Sequence, residues 1–408
     1  MDIQKQLFEI ALKVEEPIYI ERIEFDGENG ELHMYMNFRR GGKFSCPICG
    51  ELCPVHDTTE KVWRHLNFFQ YKCFIHFRTP NTKCDKDGVH LFVPEWGRTR
   101  SGFTMLFEAF VLLLAKEMPI SSIAELVGEH DTRIWRIVKA HAAKAYAEKD
   151  MSGVRQVGID ETSSAKGHKY VSVFLDMEKH EVLFATEGKD ASVIGKFIEE
   201  MPRHNGNPDE ITDISMDMSP AFISGADEKL PNANVTFDKF HVMKQLNVAL
   251  DEVRRNEQKK NPLLKGSRYV WLKNPCNLTE KQAKDLITLS KENNRLAKAY
   301  QMKLTFSDIY RFVSDYDSAD MAIKKWLSWA VRSRLEPIKS FARTVKEHYH
   351  GILQFFISHL TAGASEGMNS RIQEIKRRAK GFRNIVNFIA MIYIEGANLI
   401  LPAWALPT

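Results

Sequence analysis

The order of hydrophobic periodicities between residues 151 and 255 leaves this chain few possible folds. VRQVGIDETS, KYVSVFLDM and EVLFATEG are β-rich runs separated by the turn-like GHK and EKH. Helix-patterned ASVIGKFIEEM follows, then strand-like ITDISMDMS, helical PAFISGADEKL, strand-like NVTFDKFH and helical VMKQLNVALDEVRR. Three strands and then an alternation of helix and strand predict a mixed α/β sheet with helices packed against it.

Two carboxylates sit awkwardly in that pattern. Asp160 falls inside the first strand, in VGIDET, and Asp217 at the end of the strand ISMDMS. An acid in or at the edge of a buried strand is costly to ionise unless a cation compensates it. Ligands also favour the carboxyl ends of strands in open α/β sheets. Two such acids on neighbouring strands therefore suggest a divalent-metal site, since Mg²⁺ takes hard oxygen ligands from both. Glu161 is expected to point to the opposite face of its strand.

A third acid is offered near the C-terminus. On a helix from Glu366 to Lys380, residues Glu366, Asn369, Ser370, Gln373, Arg377 and Lys380 share one face. Met368, Ile372, Ile375 and Ala379 share the opposite face and are expected to dock on the sheet, with Gly381 as the C-cap. The polar face then runs from one carboxylate to several cations.

At 408 residues the chain exceeds a single compact core. Its formal net charge of +4 says little about partners, whereas the local basic run from Lys376 to Arg383 says more. No segment resembles a signal peptide or a membrane span, so the cytoplasm is the expected compartment. Six cysteines, two of them in CPICG (Cys46 to Gly50), favour metal chemistry in a reducing compartment over a disulfide framework. The knuckle of Cys46 and Cys49 suits tetrahedral Zn²⁺. Before it, IYIERIEFD and ELHMYMNF flank the turn GENG as a hairpin; after it, a loop-rich stretch is expected as far as Trp96. Cys73 reads as a small core residue.

FTMLFEAFVLLLAKEM reads as a largely buried helix, and PISSIAELVGEHDTRIWRIVKAHA as a helix-turn-helix bent at Gly128. Ile120, Ile123, Ala124 and Val127 line the inner face of its first helix, and Asp131 or Thr132 caps the second. Ile134, Trp135 and Val138 are core candidates. Arg133, Arg136 and Lys139 share one side of the second helix, suited to base edges and phosphates. From about Asn256 to His350 the pattern is almost wholly helical, and IVNFIAMIYIEGANLI supplies a last apolar helix.

The ordered set CPICG, VWRHL (Val62 to Leu66), GIDE (Gly158 to Glu161), DMS (Asp217 to Ser219), FDKFHV (Phe237 to Val242), SEGMN (Ser365 to Asn369) and GFRN (Gly381 to Asn384) spans nearly the whole chain. In that order it resembles the DDE transposases of bacterial insertion sequences, most closely the ISL-three family. The resemblance implies an RNase H-like catalytic core with an all-helical insertion, preceded by a small zinc-binding module and a helix-turn-helix. The implied boundaries are residues 1–96 for the hairpin and zinc module and 97–150 for the helix-turn-helix. The core follows in 151–255 and 351–408, around an insertion in 256–350.

The resemblance carries a catalytic triad onto Asp160, Asp217 and Glu366, holding Mg²⁺ or Mn²⁺ for cleavage and strand transfer at the ends of a DNA element. Asp238 and His241 match the family motif as well, with His241 expected at a strand end. DNA contacts are expected from Arg133, Arg136, Lys139, Gln373, Arg377, Lys380 and Arg383. The zinc ligands are expected to be Cys46, Cys49, Cys84 and Asp87; aspartate stands where the family usually has Cys or His, leaving Cys53, His56 and His90 as substitutes. Double-stranded DNA at the inverted repeats and at the target is the implied partner, with at least a dimer in the synaptic complex, and nucleoid association when bound. The competing readings are an inactive DNA-binding regulator derived from a transposase, and a metal nuclease acting on branched nucleic acid.

Overall fold

A computed structural model describes residues 3–164, 169–360 and 363–396, without the side chains of residues 363–366. Residues up to Ala143 form one compact unit and those from Lys144 a second. Among the described residues no helix is long and apolar enough to cross a membrane.

The first unit opens with helix α1 (Ile3–Ala11) and a six-stranded sheet. The expected hairpin is present as β1 (Ile18–Asp26) and β2 (Glu31–Phe38), closing at Asp26 opposite Glu31. Short β3 (Lys43–Ser45) follows. The stretch expected to be loop-rich is instead dominated by two long strands, β4 (Leu52–Phe68) and β5 (Tyr71–Cys84), trailed by β6 (Gly88–Leu91). In space the order is β1-β2-β5-β4-β3, with β6 also on β5. β5 buries Cys73, Ile75 and Phe77 at period two. β4 is mostly exposed, so its polar sequence shows no alternation although cross-strand bonds to β5 hold it extended.

Arg64 ties this sheet to the helices that follow. Its backbone N donates to Gly102 O at 2.9 Å, and its carbonyl accepts from Thr104 N at 3.0 Å. The side chain is buried, 3.3 Å from Cys73 O and 3.6 Å from the Glu129 carboxylate. Helices α2 (Met105–Ala115), α3 (Ile120–Val127) and α4 (Asp131–Ala147) then form. The Thr104 hydroxyl accepts from Phe107 N and caps α2. Ile120, Ile123, Ala124 and Val127 are buried as expected, and Gly128 ends α3 at φ 67°. The start of α4 differs from expectation: Thr132 N meets His130 Nδ1 at 3.3 Å, so His130 occupies the capping position rather than Asp131 or Thr132. Ile134 and Val138 are buried, whereas Trp135 is only half-buried.

In the second unit β7 (Gln156–Ser163), β8 (Tyr170–Asp176) and β9 (Glu181–Glu187) run antiparallel. Next come α5 (Ser192–Glu200), β10 (Asp213–Met216), α6 (Pro220–Lys229), β11 (Asn234–Phe237) and α7 (Lys239–Gln258). The sheet order is β11-β10-β7-β8-β9, with β11, β10 and β7 parallel. The chain therefore starts at the sheet's middle, builds outward on one side, and returns to the other. α7 begins before Val242, where sequence periodicity had placed it, because Asp238 caps it through Phe240 N at 2.9 Å.

Helices α8 (Arg268–Leu272), α9 (Glu280–Glu292), α10 (Asn294–Phe312), α11 (Tyr316–Val331), α12 (Glu336–Glu347) and α13 (Tyr349–Ser358) fill the region read as helical. Phe306, Trp326 and Phe341 cross edge to face at its centre, with Phe306 and Trp326 centroids 4.7 Å apart. α14 (Gly363–Arg378) and α15 (Ile385–Gly396) complete the unit, and Ala185 N donates to the Tyr393 hydroxyl at 3.0 Å to hold α15 on β9.

Two predictions follow from packing. A Cβ at Gly351 of α13 would stand 2.5 Å from the Phe237 ring of β11. Gly351→Ala should cost about 1–3 kcal/mol, read as a lower denaturation midpoint. Gly195→Ala in α5, whose Cβ would meet only Lys229 Cε at 3.8 Å, should gain about 0.5–1 kcal/mol. In the first unit Glu108 is fully buried on α2, with Arg98 Nε and His141 Nε2 each 2.7 Å from its carboxylate and the Ser101 hydroxyl beside it. Burial pushes the Glu108 carboxyl up, but hydrogen bonds from His141, Arg98 and Ser101 outweigh it and hold it below the usual glutamate range. A depressed folded-state pKa contributes stability above the unfolded value of about 4.3, lost as pH falls through the folded one. Glu108→Gln should cost roughly 2–3 kcal/mol at neutral pH, less than a fully buried pair because Arg98 is partly exposed. The gap to wild type should narrow in unfolding curves measured below about pH 4.

Candidate functional site

Acids stand inside β7, at Asp160, and directly after β10 and β11, at Asp217 and Asp238. β10 pairs Ser215 with Gly158 of β7, and Met216 with Phe237 of β11. Continuing that register by one or two residues sets Asp160, Asp217 and Asp238 level at the carboxyl end. Asp238 N donates to Met216 O at 3.0 Å, which holds the level on that side. A cleft of about 530 Å³ opens there, lined by Asp160, Glu161, Asp217, His241, Lys244 and Glu252 among others. Glu161, expected to turn away from Asp160, lines the same cleft.

The electrostatics are those of crowded acids short of counter-charge. Burial pushes the Asp160 carboxyl up, opposed by the Glu161 N–H at 2.7 Å, His241 and the Asn369 amide. Asp238 is also pushed up, first by burial and further by Asp217, with the Phe240 N–H and His241 opposing. The Glu161 carboxyl rises through burial and then through Asp217. His241 is not at a strand end as expected; it lies in the first turn of α7, and its buried Nδ1 has no hydrogen-bond partner. Such a cluster suits a cation.

α14 brings the late sequence to β7. Met368, Ile372 and Ile375 are buried as expected, while Ala379 lies just past the helix and is half-buried. Asn369 Nδ2 donates to Asp160 Oδ2, and Gln373 Nε2 to Thr162 Oγ1 at 3.1 Å. Lys376 Nζ lies 3.4 Å from both Thr162 Oγ1 and Ser163 Oγ. Gln373, expected to face DNA, is thus also a strand contact, and the run of polar residues in β7 after Asp160 was its sequence sign. The helix stops at Arg378, so Lys380 (φ 53°) and Arg383 stand beyond it; they and Arg377 are exposed. Gly381, at φ 91°, returns its N–H to Lys376 O at 2.9 Å. Glu366 lies in α14 one turn before Asn369, and its side chain is outside the described residues.

A separate set lies in the first unit. Among the described residues, Cys46, Cys49, Cys84 and Asp87 are the one group of metal-ligand type whose donor atoms all lie within 4.8 Å of one another. Cys46 Sγ and Cys84 Sγ are each 3.4 Å from Asp87 Oδ2, and Cys49 Sγ is 3.5 Å from Cys84 Sγ. Zn–S bonds of about 2.3 Å in a tetrahedron give edges of about 3.7 Å, so the donor set fits that ion. Cys53 is buried beside the set, with its Sγ 3.4 Å from Glu51 O. His90 meets Asp87 O at 2.6 Å, and His56 contacts Asp57. None of these three substitutes enters the group. Cys73 is buried in the sheet core, and burial pushes its thiol up to about 12.

On α4, Arg136 is exposed and Lys139 half-buried. Arg133 is engaged locally: it pairs with Glu129, and its guanidinium lies 4.4 Å from the Phe103 ring centroid.

Comparison with known proteins agrees with this arrangement module by module. Residues 43–87 match the zinc-finger of transposases IS204, IS1001, IS1096 and IS1165, and residues 93–142 match the helix-turn-helix domain of transposase family ISL3. Residues 157–392 match the ISL3 DDE family described as transposase. The chain is 27% identical to the transposase for insertion sequence element IS1557 of Mycobacterium tuberculosis, across 97% of each chain. It is 28% identical to the transposase for IS1001 of Bordetella parapertussis, across 91% of this chain and 94% of that one. A chain in the simian T-cell lymphotropic virus intasome with PP2A subunit B56 gamma aligns at 15% identity over 46% of this chain and 69% of that one, with a TM-score of 0.18. With its family match covering more than half the chain and its modules in the expected order, this protein belongs to the ISL3 family of insertion-sequence transposases.

Proposed function

We propose that the protein cleaves and joins DNA strands at the ends of its insertion sequence through Asp160, Asp217 and Glu366, on an RNase H-like core interrupted by the helical insertion 256–350. The observation that carries this reading is that the β7–β10 register sets Asp160, inside β7, level with Asp217 just past the end of the adjacent parallel strand β10, with both lining one cleft. The bond from Asn369 to Asp160 supports Glu366 as the third acid, because helical spacing puts position 366 on the same face as Asn369. The sheet order, with a central first strand and one antiparallel flank, supports the reading of an RNase H-like core.

Mg²⁺ or Mn²⁺ held by these acids would supply Lewis acidity and an activated oxygen nucleophile. The residues present fit the ion, since Asp160 and Asp238 are partly buried acids whose ionisation is disfavoured first by burial and further by a neighbouring carboxylate. Asn369 and the Glu161 N–H orient the two oxygens of Asp160. His241 borders the reacting region, and Lys244 offers a cation to a phosphate at its rim.

In this reading the helix-turn-helix recognises the terminal inverted repeats through Arg136 and Lys139, with Arg133 positioned by Glu129. Arg377, Lys380 and Arg383 guide the DNA backbone away from the acids. The protein works in the cytoplasm on the nucleoid, and pairing two element ends requires at least a dimer. Zn²⁺ on Cys46, Cys49, Cys84 and Asp87 holds the N-terminal sheet in shape.

Two experiments test this. Purified protein with Mg²⁺ and DNA carrying the element's ends should nick those ends, while Glu366→Gln and Asp160→Asn lose more than about 10³-fold of the rate and keep end binding. Wild-type protein that binds the ends and nicks none would sink the catalytic reading and favour a DNA-binding regulator. Metal analysis should find about one Zn²⁺ per chain, lost in Cys84→Ser and weakened in Asp87→Ala, but retained in Cys53→Ser and His90→Ala. Retention by Asp87→Ala together with loss by His90→Ala would replace Asp87 as the fourth ligand.

A further inference from the structure

α7 has a second working side. Its His241, Lys244 and Val248 line the carboxylate cleft, while Lys239, Phe240, Met243 and Asn247 line a larger hollow of about 750 Å³ toward α8 and α10. A third hollow joins them: it shares Lys244 and Val248 with the carboxylate cleft, and Phe240, Met243, Asn247 and Leu272 with the large one. The path over α7 is therefore lined without a break from the acids to Lys303.

The charge along that path reverses. The large hollow is lined by Lys239, Lys273, Lys303 and Arg311 and by no carboxylate. The joining hollow adds Lys244, Arg254, Arg255 and Arg268 against one acid, Asp251, which bonds Arg254 at 2.7 Å. Apolar surface accompanies the cations, since Phe240 is 55% exposed and Met243, Leu272 and Phe355 share the lining. Asn247 Oδ1 is buried there with no hydrogen-bond partner. Lys303 Nζ donates to Leu272 O at 3.2 Å and to Asn274 Oδ1, leaving a third N–H for another acceptor.

We propose that this hollow holds an unstacked base of a single DNA strand leaving the carboxylate cleft. Phe240 supplies the stacking face, Asn247 accepts from the base edge, and Lys244 and Lys273 take the phosphates. This rests on the strand-cleavage reading above for the identity of the strand. The hollow falls in the roughly 300–1,000 Å³ range of pockets that enclose small molecules, which suits one base. A duplex keeps its base faces stacked and cannot offer one to Phe240. Cations that track a backbone beside an aromatic face are what sequence-tolerant binding of single strands needs.

The test uses the full-length chain without added Mg²⁺ and a fluorescein-labelled oligothymidylate as the probe, with excess unlabelled duplex DNA to occupy the helix-turn-helix. Wild type should bind the single strand, and Phe240→Ala should weaken that binding about tenfold while leaving duplex affinity unchanged. Asn247→Ala should weaken it less, and Phe69→Ala, at an exposed aromatic in the N-terminal unit, should have no effect. Both α7 variants alter exposed or half-buried side chains, so circular dichroism should match wild type. Unchanged single-strand binding in Phe240→Ala and Asn247→Ala overturns the proposal, as does equal loss of single-strand and duplex binding. The result is independent of cleavage: loss of single-strand binding in Phe240→Ala supports the hollow even where no end is nicked.

Discussion

The parallel register of β7, β10 and β11 is the constraint on which the rest of the second unit depends. It sets Asp160, Asp217 and Asp238 level at one edge of the sheet, where burial and then Asp238 raise the cost of ionising Asp160, and burial and then Asp217 that of ionising Asp238. A fold that gathers acids in a partly buried cleft gives up stability there, and the surrounding structure has to compensate. The compensation is visible in local donors: the Glu161 N–H and the Asn369 amide on Asp160, and the Phe240 N–H on Asp238. These donors fix the oxygens without neutralising them, which leaves the cleft suited to a cation.

Helix α14 shows how late sequence completes that edge. Asn369 lies 209 residues after Asp160, yet its amide reaches the same carboxylate, and Gln373 and Lys376 bond the next hydroxyls of β7. Met368, Ile372 and Ile375 bury the other side of the helix and set its rotation. That rotation decides which residues meet the strand and which stay exposed. Gln373 reaches Thr162 of the strand while staying exposed, and Arg377, also exposed, is left to solvent. α7 has a similar double role, because its cap is Asp238 and its successive turns separate the acidic cleft from the basic hollow.

The N-terminal unit is held by different means. Its zinc-type donor set stands at the end of a sheet whose long β4 buries little apolar surface. Arg64, in the WRHL segment, is buried between that sheet and the turn before α4, and Glu108 gathers Arg98, Ser101 and His141 around one buried carboxylate. In the fold these groups are internal braces of the helix-turn-helix, and Arg133 is partly drawn into the same role by Glu129 and Phe103.

Local chemistry alone determined much of this protein. Period-two and period-3.6 patterns placed every strand of the second sheet, the CPICG knuckle named two of the metal-type donors while the family resemblance supplied Cys84 and Asp87, and α14 buried the face its apolar residues specified. Tertiary structure decided the rest. The extended conformation of β4 comes from pairing with β5, which a polar sequence does not announce. The place of His241 on α7 follows from Asp238 capping the helix, and Glu161 lines the cleft although alternation along β7 turns it away from Asp160. The basic hollow is assembled from α7, the end of α8, α10 and α13, and its lysines, Lys239, Lys273 and Lys303, are scattered singly along the chain. Sequence spacing records which residues share one helix or strand. Which of those faces meet depends on long-range packing, and that is set only when the whole core closes.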